Sequence, residues 1–346
     1  MALVAAGDRL RDAMTVSRPE LSIAEFCRRL PKTETHLHLE GALPSDLLRE
    51  VQPEAELSSW QADFKFDGFD HFLRDLLGKQ TAWFTSVERY HTAARYLFRR
   101  QLAENVRYVE LSVASGALEA ANLDGREVFT AIRVASPPGL DVRIFLGIHH
   151  DGNTPKMGPV LTECLDWPEL AGIDLHGAED VPLEPWTAPL WRAARQRGKL
   201  TKAHAGEFSG PDFIWRVLEE LEPDRIEHGV RAIEDPALVN ELVRRGVALD
   251  MCPISNHKLM PGIRLDNHPI RDLVDAGLTV TLSTDDPLIF GNTVSDEYLA
   301  LAEKRAFSRA ELVSLAKNGF RVSLLPEALA RRYAGELDAM LTGSIA

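Results

Sequence analysis

The stretch Thr35-His36-Leu37-His38-Leu39-Glu40-Gly41 sets two histidines two residues apart in a segment with the pattern of a β-strand. Successive side chains of a strand point to opposite faces, so His36 and His38 share one face and the two leucines take the other. Two imidazoles on one face form part of a metal site. The pattern also fits an ordinary strand with two solvent-facing histidines, so a metal site requires further ligands elsewhere in the chain.

The composition is that of a soluble globular protein. The chain has 346 residues, of which 45% are hydrophobic and 26% are charged, and we expect a single domain over residues 1–346. A formal net charge of -13, with no basic patch, argues against nucleic acid and anionic membranes as partners. The sequence starts without the pattern of a secretion signal and has no apolar run of bilayer length, which predicts a cytoplasmic protein.

The cysteines predict neither a disulfide framework nor a thiolate metal site. Cys27, Cys164 and Cys252 are odd in number and lack Cys-x-x-Cys spacing. A metal in this protein would therefore be held by histidines and carboxylates.

Short β-rich runs alternate with amphipathic helices along the rest of the chain. After the strand with His36, we predict strands at residues 106–113, 142–148, 170–175, 200–204, 225–228, 247–251 and 278–283. Near-continuous apolar strands in such alternation are parallel and buried on both faces. Eight units favour a (β/α)8 TIM barrel over an open doubly wound sheet, and no Gly-x-Gly-x-x-Gly follows the first strand.

Several helices are indicated by their ends. Residues 1–30 read as a helical lead-in, and capping boxes begin helices at Thr85 and at Ser308. Another helix starts with Asp235 as its N-cap and stops at Gly246, and one more runs over residues 269–276.

A long helical excursion, about residues 43–105, follows the first strand. Within it, residues 69, 72, 73, 76 and 77 form one apolar stripe at helical spacing. A helix packed on the body would show this stripe, and so would a lid over a pocket. Its position directly after the histidine pair leads us to predict an inserted helical lid.

Polar residues fall at the predicted carboxyl ends of several strands, where barrel enzymes build their active sites. They are His36, His38, His204, Glu207, His228, Asp285 and Asp286. Asp285-Asp286-Pro287 alone would also fit a turn, but so many such residues at one barrel end predict a shared site. Three imidazoles and one carboxylate suit zinc with an open position for water, and His228, Glu207 and Asp286 are candidates for proton transfer and substrate contacts.

From Pro31 to about Asn318 the chain resembles the adenosine deaminase family of the amidohydrolase superfamily. The matching stretches are His36-Leu-His38-Leu-Glu-Gly41, Ile173-Asp-Leu-His-Gly177, His204-Ala-Gly-Glu207, Arg225-Ile-Glu-His-Gly229, Cys252-Pro-Ile-Ser-Asn256 and Ser283-Thr-Asp-Asp-Pro287. Together they are far more specific than any one of them.

The resemblance implies a zinc-dependent hydrolytic deaminase of a 6-aminopurine, with adenosine as the family default. The implied ligands of one zinc ion are His36, His38, His204 and Asp285. No lysine on the fourth strand is available to bridge two metals, as in binuclear members of the superfamily. The His-x-Glu and Pro-Cys-x-x-Cys signature of the cytidine and nucleic-acid deaminases is absent.

The resemblance also implies roles around the substrate. His228 would orient and deprotonate the zinc-bound water, and Glu207 would protonate N1 of the purine. Asp285 is placed among the catalytic residues as well as the ligands. Asp286 would bind N7 and the Gly177 amide N3, and His38 and Glu40 complete the predicted substrate contacts.

Some residues depart from the adenosine-specific pattern. Glu40 replaces the shorter Asp that contacts ribose, and in this the chain is similar to adenine deaminases and aminodeoxyfutalosine deaminases. Residues 110–116 resemble the aminodeoxyfutalosine deaminases, and residues 252–259 favour the same direction. Glu227 replaces a commoner Gly, and strand alternation predicts that it points to the outer helices. His176 replaces a commoner small residue.

Two functional alternatives remain at this stage. One is another metal-dependent hydrolysis, of an amide or a phosphoester, on the same barrel. The other is a deaminase-like binding protein that has lost the chemistry; the presence of every implied ligand and of His228 argues against it.

Overall fold

The computed structural model describes residues 21–342 and contains a barrel of eight strands. They are β1 (Lys32–His38), β2 (Val106–Ala114), β3 (Asp141–His149), β4 (Leu170–His176), β5 (Leu200–Ala205), β6 (Arg225–His228), β7 (Ala248–Met251) and β8 (Val280–Leu282). Every strand predicted from the sequence is present, with small differences at the ends. The predicted TIM barrel is confirmed.

Each strand pairs in parallel with the next one along the chain, in the order β1 to β8. The two ends of the sheet meet just beyond β8. Asp285 N donates to the His36 carbonyl at 3.2 Å, and His38 N donates to the Asp285 carbonyl at 3.1 Å. These bonds nearly close the barrel and hold Asp285 beside the two histidines of β1.

Helices surround the barrel and connect its strands. They are α1 (Ile23–Arg29), α2 (Ser45–Val51), α3 (Gly68–Trp83), α4 (Val87–Ala103), α5 (Ser115–Ala120), α6 (Gly125–Ala135), α7 (Met157–Glu163), α8 (Thr187–Gln196), α9 (Pro211–Glu220), α10 (Pro236–Arg245), α11 (Pro253–Leu259), α12 (Ile270–Asp275), α13 (Pro287–Phe290), α14 (Val294–Lys304), α15 (Arg309–Val322) and α16 (Glu327–Leu341).

The ends of several helices follow their capping residues. Asp235 caps α10 and Gly246 ends it in the left-handed conformation, as predicted, and Ser308 and Glu311 form the predicted capping box of α15. The predicted box at Thr85 is wrong by one residue, because the Ser86 side chain accepts the Arg89 amide and caps α4. Of the predicted lead-in, α1 is helical, and residues 1–20 lie outside the described part of the chain.

The hydrophobic core lies between the sheet and the helices. Large side chains such as Phe129 of α6 and Trp191 of α8 are fully buried against the strands. Inside the barrel, by contrast, charged side chains fill the space: Lys202, Arg225, Glu110, Glu227 and Asp250 are at most 2% exposed. Burial of so many charges requires that they pair, and they do so directly beneath the candidate site.

The predicted excursion after β1 contains α2, α3 and α4. Five residues of α3, Phe69, Phe72, Leu73, Leu76 and Leu77, line the pocket at the carboxyl end of the barrel. The apolar stripe identified in the sequence therefore covers the pocket, as expected for a lid.

The three cysteines are buried thiols without disulfide bonds. Within residues 21–342, no helix is both long and apolar enough to cross a membrane.

Candidate active site and metal centre

Four of the predicted ligands converge at the carboxyl end of the barrel. The Nε2 atom of His36 lies 3.2 Å from Nε2 of His38 and 3.1 Å from Nε2 of His204. Oδ1 of Asp285 lies 3.5 Å from Nε2 of His36 and 3.4 Å from Nε2 of His38. β1, β5 and the segment after β8 thus bring all four donor atoms to one point.

These distances fit a tetrahedral metal. Zinc with bonds of about 2.0–2.1 Å to nitrogen places neighbouring ligand atoms roughly 3.3 Å apart. His36 Nδ1 faces the Asp250 carbonyl and His204 Nδ1 faces the Leu175 carbonyl, at 3.4 and 3.0 Å. An Nδ1–H directed at a carbonyl leaves the Nε2 lone pair for the metal.

His228 also lies close to this cluster. The ligand atoms of His36, His204, His228 and Asp285 can all lie within 4.8 Å of one another. The predicted set with His38 fits a metal as well, because its Nε2 contacts both His36 and Asp285 directly. In that set His228 lies at the edge of the ligand cluster.

Two site residues hold strained backbone conformations. His228 has φ +63° and Asp285 has φ +65°, in the left-handed region that side chains other than glycine rarely adopt. His228 is the last residue of β6, and Asp285 lies three residues after β8. Such strain persists at functional sites when the surrounding fold enforces it, and here it directs both side chains into the site.

His228 and Glu207 face each other beside the ligand cluster. His228 Nε2 lies 3.5 Å from Glu207 Oε2, and both residues are buried. Burial, then the negative charges of Asp285 and Glu179, raises the pKa of Glu207 well above its usual range. Burial, then the nearby His36 and His204, lowers the pKa of His228 well below its usual range, so its ring is neutral.

The loop that carries Glu207 is anchored by Glu179, a residue that the sequence analysis did not identify. The buried Glu179 carboxylate accepts hydrogen bonds from four consecutive backbone amides, those of residues 206–209, at 2.7 to 3.2 Å. The sequence feature that could have indicated Glu179 is its position two residues after Gly177, which was itself a predicted site residue. Glu179 fixes the path of the chain on both sides of Glu207.

The predicted substrate contacts line the same pocket. Asp286, Glu40 and Gly177 surround a cavity of about 90 Å³ together with His38 and residues of α3. Burial, then repulsion by Asp285, raises the pKa of Asp286 well above its usual range, and Asp286 Oδ1 has no hydrogen-bond partner within residues 21–342. A carboxyl that holds its proton can donate a hydrogen bond.

The Glu40 carboxyl group accepts hydrogen bonds from the protein itself. Its Oε1 accepts the Tyr90 hydroxyl at 3.1 Å and the Ala114 amide at 3.2 Å. Burial raises the pKa of Glu40 to about 7. These bonds fix the carboxyl at the pocket wall.

The predicted direction of Glu227 is wrong. Its side chain points into the barrel, where Oε1 accepts from Lys202 Nζ at 2.5 Å and Oε2 lies 2.9 Å from His204 Nδ1. Asp174 Oδ1 lies 3.3 Å from the same nitrogen. Burial alone would lower the pKa of His204, but the charges of Glu227 and Asp174 outweigh it and raise that pKa well above its usual range.

A larger cavity of about 440 Å³ adjoins the pocket. The two share Leu77, Gln80, Ala114 and His149 in their walls. The larger cavity also has the acidic residues Glu119 and Asp151 in its wall, and none of its lining residues within 21–342 is Lys or Arg. The site therefore has room beyond the space around the metal ligands.

Comparisons with known proteins point to one family. The family model for adenosine deaminase matches residues 31–340. An adenine deaminase of Sphingopyxis alaskensis is 32% identical over 91% of this chain and 96% of its own, and one of Caulobacter vibrioides is 31% identical over 88% and 92%.

Solved structures share the fold. The crystal structure of an adenine deaminase from Arthrobacter aurescens has a TM-score of 0.81 and 26% identity, over 90% of this chain and 99% of its own. A zinc-bound amidohydrolase from Burkholderia ambifaria has a TM-score of 0.77 at 22% identity, over 95% and 97%. At that identity the second likeness concerns the fold alone.

Proposed function

The chain belongs to the adenosine deaminase family, and we propose that it hydrolyses the 6-amino group of adenine with one zinc ion in its site. Family membership makes it a hydrolase that deaminates cyclic amidines of the 6-aminopurine type. Adenosine is the family default, but the relatives named adenine deaminase favour the free base. The replacement of the shorter Asp by Glu40 supports the same choice.

The observation that carries this proposal is the contact between Glu207 and His228 beside the ligand cluster. A carboxyl and a neutral imidazole, 3.5 Å apart and buried, can exchange protons with a substrate held between the ligands and α3. Protonation of the ring nitrogen N1 needs a carboxyl that can hold a proton, and the raised pKa of Glu207 supports this. Family membership disfavours amide or phosphoester cleavage.

The reaction adds water to C6 and then releases ammonia. The oxygen of water bonds to C6, one of its protons reaches N1, and the amino group leaves with the other. Zinc, when bound by His36, His38, His204 and Asp285, supplies the acidity that makes water nucleophilic near neutral pH. The burial of the site and the α3 cover exclude bulk water.

Three groups are proposed to orient the purine. Asp286, whose raised pKa lets it keep a proton, donates to N7, and the Gly177 amide donates to N3. Glu40, fixed by Tyr90 and Ala114, contacts the part of the substrate beyond the ring.

The adjoining cavity favours a second candidate, a 6-aminopurine with a large substituent such as adenosine or aminodeoxyfutalosine. Its volume exceeds that of the inner pocket, 440 against 90 Å³, and both open onto His149. Glu119 and Asp151 in its wall, with no Lys or Arg beside them in the described part of the chain, disfavour a phosphate substituent.

The deciding experiment compares substrates by the ultraviolet change from 6-amino to 6-oxo purine. Zinc-loaded protein is offered adenine, adenosine, aminodeoxyfutalosine and AMP. We expect the largest kcat/KM for adenine. A larger value for a substituted purine would replace adenine by the second candidate, and no turnover of any, with zinc bound, would refute the proposal.

A variant of the outer cavity sharpens this test. Gly116 lines the larger cavity, and a Cβ added there is in ordinary contact with His149 at 3.9 Å, so Gly116→Leu should reduce the volume of this cavity. Turnover of adenine should not change, whereas that of any substituted purine should fall. Gly335→Leu on α16, where an added Cβ meets nothing within 4 Å, is the matched control.

A further inference from the structure

A chain of hydrogen bonds leads from a backbone amide to His228. It begins at Ile270 N, which donates to Nδ1 of His268 at 3.2 Å. A backbone amide can only donate, so His268 Nδ1 carries a lone pair. Burial lowers the pKa of His268 to about 3, so the ring is neutral and its proton lies on Nε2.

The His268 proton fixes the orientation of a buried amide. His268 Nε2 lies 3.2 Å from Oδ1 of Asn256, which accepts that proton. The Nδ2 group of Asn256 is thereby turned towards the site, 3.1 Å from Nδ1 of His228 and 3.4 Å from Oε1 of Glu207. All three residues of this chain are fully buried, so water does not compete for these bonds.

The amide group then determines which nitrogen of His228 carries the proton. Nδ2 of Asn256 can only donate, so Nδ1 of His228 accepts. We propose that Ile270, His268 and Asn256 hold His228 with its proton on Nε2, so that His228 donates a hydrogen bond to the oxygen that attacks C6. Asn256 is in this sense a positioning residue for His228.

The position of His228 Nε2 agrees with this role. It faces the pocket at 3.5 Å from Glu207 Oε2, and among residues 21–342 it has no hydrogen-bond partner. A donor without a hydrogen bond inside a buried pocket is available to the reacting oxygen. A base at that nitrogen, the role that family resemblance implies for His228, would need the opposite tautomer.

The assignment leaves the proton transfer to Glu207, and in this it rests on the proposed function. The Glu207 carboxyl begins with a proton, as in the proposed function, and gives it to N1 as the oxygen of water bonds to C6. The resulting carboxylate takes one proton from that oxygen and passes it to the amino group, which leaves as ammonia. Glu207 then recovers its proton from the C6 oxygen, which becomes the 6-oxo group. Asn256 Nδ2 lies within hydrogen-bond distance of both His228 and Glu207, and so fixes the position of one side chain relative to the other.

Nitrogen-15 NMR of the zinc-loaded protein tests the tautomer directly. The protein is labelled in its histidines, and the His228 signals are identified by their loss in His228→Gln. We expect a protonated Nε2 and an unprotonated Nδ1. A proton on Nδ1 would overturn the proposal. The spectrum is recorded without substrate, so its result stands apart from any failure of the deaminase reaction.

Asn256→Asp tests the origin of the tautomer. A carboxylate at this position accepts from Nδ1, so the proton should move from Nε2 to Nδ1 and kcat should fall roughly 100-fold with the zinc content unchanged. An unchanged tautomer would remove Asn256 from the proposal. The control is His150→Gln, another buried histidine, which should leave the His228 signals unchanged. If Asn256→Asp does not fold, the wild-type spectrum still shows which nitrogen of His228 carries the proton.

Discussion

His36 Nε2 and His204 Nε2 lie 3.1 Å apart although 168 residues separate them in the chain. Two imidazoles with facing Nε2 lone pairs repel, so a cation between them stabilises the pair. Burial, the largest effect, lowers the pKa of His36 well below its usual range, whereas the charges of Glu227 and Asp174 raise the pKa of His204, so a proton on His204 can take this place when no metal is bound. The donor atoms of His38 and Asp285 meet at the same point, which favours a metal ion there.

Loss of a metal ligand should differ from loss of His228. His204→Ala should abolish both stoichiometric zinc binding and turnover, because it removes one of the converging nitrogens. His228→Ala should abolish turnover and keep the zinc. Metal analysis and the deamination assay on both variants give the comparison, and normal turnover by His228→Ala would contradict the proposed chemistry.

Glu227 should tune the affinity for zinc. Its carboxylate lies 2.9 Å from Nδ1 of the ligand His204, so Glu227→Gln should weaken zinc binding about 10- to 100-fold in a chelator competition. Glu110→Gln is the matched control. It removes another buried carboxylate near Lys202 that has no contact with a ligand. Equal losses in both variants would show that only the buried charge matters.

Gly41→Ala should reduce activity by displacing Asp286. A Cβ at Gly41 would lie 1.6 Å from Asp286 Oδ1, so the carboxyl must move. We expect kcat/KM to fall roughly 100-fold, as for other small misplacements of a substrate contact. Zinc content should stay the same. Gly78→Ala in α3, where an added Cβ meets nothing within 4 Å, should keep full activity and gain about 1 kcal/mol in free energy of unfolding.

Glu297 should make stability fall as pH rises. Burial raises the pKa of this fully buried carboxyl well above its unfolded value. The folded state therefore binds more protons, and the stabilisation is complete below the unfolded pKa and is lost as pH rises through the folded one. In urea unfolding at pH 5, 7 and 9, the free energy of unfolding of Glu297→Gln should rise relative to that of wild type as the pH increases. A difference between the two proteins that does not change with pH would contradict the raised pKa of Glu297.

Glu311 provides the control of opposite sign. Its hydrogen bond to Arg271, the largest cause, lowers the pKa of Glu311 to about 2. Its stabilisation is present above the unfolded pKa and is lost as pH falls through the folded one. The difference in free energy of unfolding between Glu311→Gln and wild type should therefore stay constant between pH 5 and 9.

The sequence by itself determined the barrel and the predicted ligands. Strand periodicity and eight alternating units are local properties, and parallel closure aligns all strand ends, so His36, His204 and Asp285 had to meet at one end. The helical stripe around Phe72 likewise indicated the cover of the pocket. These features depend on residue type and spacing, which the sequence displays directly.

Only the tertiary structure decided the contacts between distant side chains. Alternation predicted Glu227 outside the barrel, but the left-handed backbone of His228 breaks the alternation, and Glu227 points inwards to Lys202 and His204. The Glu179 anchor and the bonds from His268 through Asn256 to His228 join separate loops. Such pairings follow from the packing of the whole barrel, because a buried charge or amide binds whichever partner the fold brings within reach.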